Sequence, residues 1–524
     1  MPTHKANINV SAKIIADISS GIYRTPANAM KELISNSFDA DARSVVITTD
    51  YPDFNVITVS DNGAGMTVQK FEEVMSHIGG SDKRAVGEKV GYTKLGRPII
   101  GKIGIGILAI AQISRKFTVI SSTGEKPTRF EATIDLARFH EQEAYKYNLP
   151  DKHVMIGEYD VESDIEEDES RSYTNIVLED IEDGFRHRLL DVPDKSIEGF
   201  KFKKGDPQTF AAFADWMKTR RVRDIPEYFR LLWELAIISP VPYLKNGPVP
   251  DNDMINDIKK RLLDYDFKVI VDGIPLLKPI EFPYEGELKK PYFDHKTYEI
   301  HFDEKVAGSR LKFSGYIYHR NVAIYPPELR GLLIRIRNVG IGEYDKSFLN
   351  FPQSAGPIIP GMTGEIYVEE GLEDALNIDR NSFRETDPHY LKLQEVVFTK
   401  LSTSRQKGGI LADARYRSKL IQERKKREST KGQYQDLTDT IEKATGYRFK
   451  IVVDDRQSDK PISIDRGNSE IRIFYRCLVY PKRAYDRELY EKFIIFHELS
   501  IFDSPIEPSA NKLFYDLVRR ERKI

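Results

Sequence analysis

Residues 56–65 constrain the N-terminal part of this chain more than any other stretch. Val56-Ile57-Thr58-Val59-Ser60 is β-branched and alternating, which predicts a strand. It runs straight into Asp61-Asn62-Gly63-Ala64-Gly65-Met66, where two glycines end the strand in a turn. A carboxylate is thereby set at a strand tip, beside backbone with no side chain to keep a flat ring away. Upstream, Asn28 to Asp41 carries Met30, Leu33, Ile34 and Phe38 at the spacing of a one-sided helix, and a strand is expected at Ser44 to Thr49. Downstream, a helix near Val68 to Ile78 gives way to Gly79 to Arg97, rich in Gly, Lys and Arg and without period. That is the composition of a mobile loop, here read as a lid.

The predicted first helix places Glu32 and Asn36 four residues apart, so both side chains reach one small volume. A water-activating carboxylate beside a metal-binding amide would use that spacing, although on its own such a pair is far more often an ordinary wet helix face. An adenine amino group could donate to Asp61. Gly101-Lys102-Ile103-Gly104-Ile105-Gly106 then opens an apolar helix, and glycine amides at a helix start form a cradle for polyphosphate; the plain alternative is a tight turn between lid and helix. Gly104 to Ala109 also fits the dinucleotide pattern, but no repeating strand-helix-strand order precedes it, and the chain has no Walker sequence. His497-Glu498 lacks the second His a zinc-protease helix needs, since Ile501 stands there.

At 524 residues the chain calls for two to four domains of roughly 100–200 residues each. Its 79 basic and 81 acidic residues nearly cancel, so any nucleic-acid contact must come from a local patch. The apolar run Ile103 to Ile113 falls short of the roughly 20 residues a membrane span needs. With no secretory signal and a lone cysteine, Cys477, a reducing cytoplasm is the expected location. The acidic segment Glu158 to Glu169 suits an exposed loop, and Asn175 to Leu178 a strand. Pro226 to Ser239 reads as a helix closing the first domain and Pro240 to Asp253 as a linker. β-rich runs from Lys268 to Arg337, among them Val269-Ile270-Val271 and Leu332 to Ile336, read as a separate α/β domain. Asp387-Pro388 starts a helix, and Arg405 to Lys431 is polar and basic.

The order of these pieces resembles the GHKL superfamily of gyrase, heat-shock-ninety chaperones, histidine kinases and MutL over roughly residues 1 to 240. The pieces are Glu32 to Asp39 with Asn36, Asp61-x-Gly63-x-Gly65, Gly101-x-x-Gly104-x-Gly106, and Thr174 before a strand. The resemblance is nearest to heat-shock-ninety-like and MORC-like members. It implies an α+β architecture: a Bergerat ATP-binding sandwich of helices on a mixed, mostly antiparallel sheet over 1–250, and an α/β transducer-like middle domain over 255–400. A basic helical linker over 401–432 and a small C-terminal α/β unit over 433–524 complete it. It also implies that Glu32 activates water, Asn36 binds magnesium, Asp61 reads adenine and Thr174 assists there. Gly364 to Val368 followed by Ala375 to Arg380 resembles the middle segment of heat-shock-ninety chaperones, where the matching Arg reaches the γ-phosphate, a role that falls to Arg380.

The implied activity is magnesium-dependent ATP hydrolysis coupled to lid and domain closure on a partner protein or client, with an ATP-dependent homodimer among the expected states. Two alternatives stay open: a non-hydrolysing nucleotide sensor, against which the presence of Glu32 speaks, and a MORC- or MutL-like DNA clamp.

Overall fold

The computed structural model describes residues 25–76, 91–100, 110–136, 157–191, 209–218, 225–244, 253–284, 286–352, 356–377, 381–402, 408–454 and 461–474, with a few isolated positions besides. Two compact units divide the chain, Met1–Arg415 and Tyr416–Ile524.

In the first unit, Thr25 caps α1 (Pro26–Asp39). Its hydroxyl accepts from the Asn28 N–H at 3.3 Å, and Pro26 takes a first-turn position where no N–H is needed. Met30, Ile34 and Phe38, at helical spacing, are fully buried, and Asp41 at φ 61° turns the chain away from the helix. An eight-stranded sheet follows from β1 (Ser44–Thr48), β2 (Ile57–Asp61), β3 (Ser114–Thr123), β4 (Thr128–Asp135), β5 (Glu158–Glu166), β6 (Ser172–Ile181), β7 (Lys268–Val271) and β8 (Ile274–Pro275). Its order is β5-β4-β3-β6-β2-β1-β7-β8. Every pairing is antiparallel except β1 with β7. With α1, five more helices share the sheet's core: α2 (Val68–Ser76), α3 (Asp183–Leu190), α4 (Thr209–Lys218), α5 (Glu227–Ile238) and α6 (Asp253–Asp264). This is the α+β sandwich of helices on a mixed, mostly antiparallel sheet that the resemblance implies.

Three details differ from the sequence reading. The acidic run from Glu158 is the edge strand β5 and not a loop. Its carboxylates mostly face water, as edge strands commonly carry charge against unwanted pairing, while Val161 packs inward. Val269-Ile270-Val271, grouped by sequence with the later β-rich block, pairs with β1 and so completes the first sheet. Residues 91–97, counted with the lid, are anchored, as described below.

The second sheet comprises β9 (His295–Val306), β10 (Ser309–Arg320), β11 (Gly331–Ile336), β12 (Val339–Asp345) and β13 (Met362–Glu370), in the order β12-β11-β13-β10-β9. Strand β13 lies centrally and is buried on both faces, so its residues alternate between two cores. Tyr367 joins the core of the first sheet, whereas Ile366 and Val368 pack with α7 (Pro388–Leu401). Asp387 caps α7, accepting from the His389 N–H at 2.9 Å.

Helix α8 (Ile410–Thr445) runs through the predicted basic stretch. In the second unit, β14 (Lys450–Asp454), β15 (Ile462–Asp465) and β16 (Glu470–Phe474) form a small sheet whose apolar side meets Tyr434, Leu437 and Ile441. Among the described residues no helix is long and apolar enough to cross a membrane.

Candidate functional site

Asp61 ends β2 where the strand meets the last turn of α1. One carboxylate oxygen accepts from the Ser37 hydroxyl at 2.8 Å and the other from the Gly63 N–H at 2.9 Å. Burial raises the pKa of Asp61 above the usual carboxylate range, opposed by these two donors. Asp61 stands opposite Thr174 across β2–β6, and Thr174 stands opposite Ser121 across β6–β3, so the three lie in one row across the sheet.

Ser121 accepts from the Met66 N–H at 3.0 Å and donates its only proton to the Tyr173 carbonyl at 2.8 Å. The Thr174 hydroxyl, 3.1 Å away, must therefore donate to Ser121, and its own oxygen keeps lone pairs for a further donor. Sequence reading selects Asp61, Met66 and Thr174 but misses Ser121, which carries no local signal and acquires its role only from its neighbours across the ladder.

The glycines of the turn are required by the protein's own backbone. Gly65 has φ +66°, and a Cβ there would lie 1.9 Å from the Ser122 carbonyl oxygen; one on Gly63 would lie 2.7 Å from the carbonyl of Ala40. Asn62, unremarked in the sequence, accepts from the N–H groups of Arg43 and Ser44, each at 2.8 Å, and fixes the turn to the start of β1.

On α1, Glu32 is 3% exposed, whereas Asn36, one turn on, is exposed at the surface. Asp39 accepts from the Ile100 N–H at 2.6 Å, which holds Ile100 against the helix. Arg97 is 2% exposed. It donates to the carbonyls of Ala42 at 2.6 Å and Tyr265 at 2.5 Å, and stacks over Phe38 at 4.9 Å. These bonds satisfy backbone beyond the end of α1 and anchor the last residues of the predicted lid. Gly101, Lys102, Ile103, Gly104, Ile105 and Gly106 lie outside the described residues, as does Arg380. The residue after it, Asn381, accepts from the Lys31 ammonium at 2.9 Å, and Lys31 is the immediate neighbour of Glu32.

The arrangement therefore has two ends. One offers a fixed acceptor and a hydroxyl beside a glycine turn. The other offers a buried carboxylate and an exposed amide on one helix.

Residues 23–170 match the family described as histidine kinase-, DNA gyrase B-, and HSP90-like ATPase. The chain is 31% identical over 107 residues to the DNA mismatch repair protein MutL of Anaplasma phagocytophilum, covering 20% of this chain and 16% of that protein. It is 32% identical over 123 residues to the putative type II restriction enzyme HgiDII of Herpetosiphon aurantiacus, covering 24% and 19%. It is 30% identical over 129 residues to the chaperone protein HtpG of Bacillus subtilis, covering 21% and 20%. Each match thus spans a fifth or less of the relative's own length.

Proposed function

We propose, from the premise that residues 23–170 form an ATP-binding domain of the GHKL superfamily, that this chain hydrolyses ATP with magnesium and uses the cycle to act on a partner. The observation that carries this reading is Asp61, held at a strand end by Ser37 and Gly63 directly across from Thr174. In this reading the adenine amino group donates to Asp61 and the Thr174 hydroxyl assists. The phosphates would lie against the amides of the Gly101 to Gly106 segment, which the sequence predicts to open a helix.

Asn36 would help to hold a magnesium ion, which would offset phosphate charge. Glu32 orients and deprotonates the attacking water, and its burial keeps bulk solvent from competing for that proton. Arg380 stabilises the charge on the transferred phosphoryl group, and the bond from Lys31 to Asn381 supports this by tying the neighbouring residue to the helix of Glu32. Lid closure and ATP-dependent pairing of two chains follow from contacts made only to the γ-phosphate state.

Equilibrium binding of ATP and GTP tests the purine end. GTP presents a carbonyl where ATP presents the amino group, so ATP is expected to bind about tenfold or more tightly, the loss of one hydrogen bond to a charged group. Equal affinities would contradict the assignment of Asp61.

A DNA partner is the second reading, favoured by two observations. Two of the relatives are named for DNA repair and restriction, and α8 exposes Arg415, Lys419, Arg424 and Lys425. DNA affinity that falls steeply as salt rises is the expected result, and absence of binding at low salt would remove this reading.

A further inference from the structure

A cleft of about 170 Å³ opens within the first compact unit, where α5 faces β12 and the first turn of α1. Asp61, Ser121 and Thr174 take no part in it, so it is separate from the purine end of the nucleotide site. Its wall is apolar, from Met217, Ile237 and Ile238, and it includes Trp233, which is 2% exposed.

Two carboxylates complete the lining, Glu234 from α5 and Glu343 from β12. Glu234 is pushed up to about 7, chiefly by burial, with Glu343 and Glu227 adding repulsion and Arg230 and Arg188 opposing it. Arg230 is already drawn to Glu227 at 2.6 Å and lies 3.7 Å from Glu234. Lys346 and Glu328 also line the cleft and offset one another in charge. The surplus is therefore negative and is shared between two elements that face each other.

Size limits the occupant. A dry cavity of about 150 Å³ accommodates a benzene ring, whereas drug-sized ligands need roughly 300–1,000 Å³, so a nucleotide is too large.

We propose that this cleft binds a small organic cation, an amine or guanidinium on a ring-sized apolar body, with the cationic group between Glu234 and Glu343 and the ring against Trp233. The proposal stands independently of ATP hydrolysis. Binding of the cation draws a proton off Glu234, so it strengthens as pH rises through neutrality.

The test is a titration of the full chain with phenethylamine and with its uncharged counterpart 2-phenylethanol, read by tryptophan fluorescence. Trp216 and Trp233 are the chain's two tryptophans, so Trp216→Phe leaves Trp233 as the only reporter. The expected result is saturation by phenethylamine and about tenfold or more weaker binding of the alcohol, with a similar loss in Glu234→Gln or Glu343→Gln. ATP affinity, measured on the same variants, is expected to be unchanged, so failure of this proposal is distinguishable from failure of the ATP reading. Equal binding of amine and alcohol, unchanged amine affinity in both variants, or no saturation up to about 10 mM would each overturn it.

Discussion

Asp61 and Glu365 are both strand carboxylates held by hydroxyl donors, one at the end of β2 and one within β13. Glu365 is fully enclosed. Arg335 approaches one of its oxygens at 2.5 Å, and Tyr243 and Tyr316 donate to the other at 2.6 and 2.7 Å. Lys278 lies buried nearby, donating to the carbonyls of Ser239 and Val241 at 2.7 and 2.6 Å, and burial holds its ammonium well below the usual lysine range. Every direction around Glu365 is filled by the protein, so the network joins the second sheet to the segments that follow α5 and β8. Asp61 has two protein donors, and Thr174 beside it keeps lone pairs for another group. The difference teaches that a buried carboxylate becomes a site when its coordination is left incomplete at a cleft, and a brace when it is completed.

The comparison breaks most sharply at Glu365. Glu365→Ala strands Arg335 without its counter-charge, and such losses cost about 3–5 kcal/mol. A large fall in the thermal midpoint is expected, and an unchanged midpoint would show that the network braces nothing.

Asp61→Asn sharpens the other side. Here ATP affinity is expected to fall about tenfold or more while stability changes little, because the lost interaction belongs chiefly to the ligand. The pH dependence adds a smaller effect. Burial raises the Asp61 pKa, so ATP affinity is lost as pH falls through that raised value, at a higher pH than an exposed aspartate would show. The group's own contribution to folding runs the opposite way. It is fully present below the unfolded pKa and is lost as pH rises through the folded one. Calorimetric ATP titrations and thermal melts over one pH series check both signs.

Much of the helix-and-turn framework was legible because its signals are local. The 3.6-residue spacing of Met30, Ile34 and Phe38, the alternation of Val56 to Ser60, and the cap at Asp387 each lie within a dozen residues, and each element forms where expected. Information spread along the chain was not legible. Ser121 bonds to Met66 from 55 residues away, and β7 joins β1 in a parallel pairing that no short window contains. Charge misled at β5, where an acidic run hides a ladder of backbone bonds that edge carboxylates do not disturb. Arg97 misled in the same way: in composition it belongs with a polar loop, but its guanidinium is consumed by buried carbonyls.

Magnesium-dependent ATP turnover and ATP affinity, measured side by side for the parent chain and Glu32→Ala, test the central claim most directly. The account predicts that turnover falls by about 10²–10⁴, the contribution of a general base, while ATP still binds. A parent chain that binds ATP but hydrolyses none of it, or a variant that hydrolyses as fast as its parent, would contradict the role assigned to Glu32.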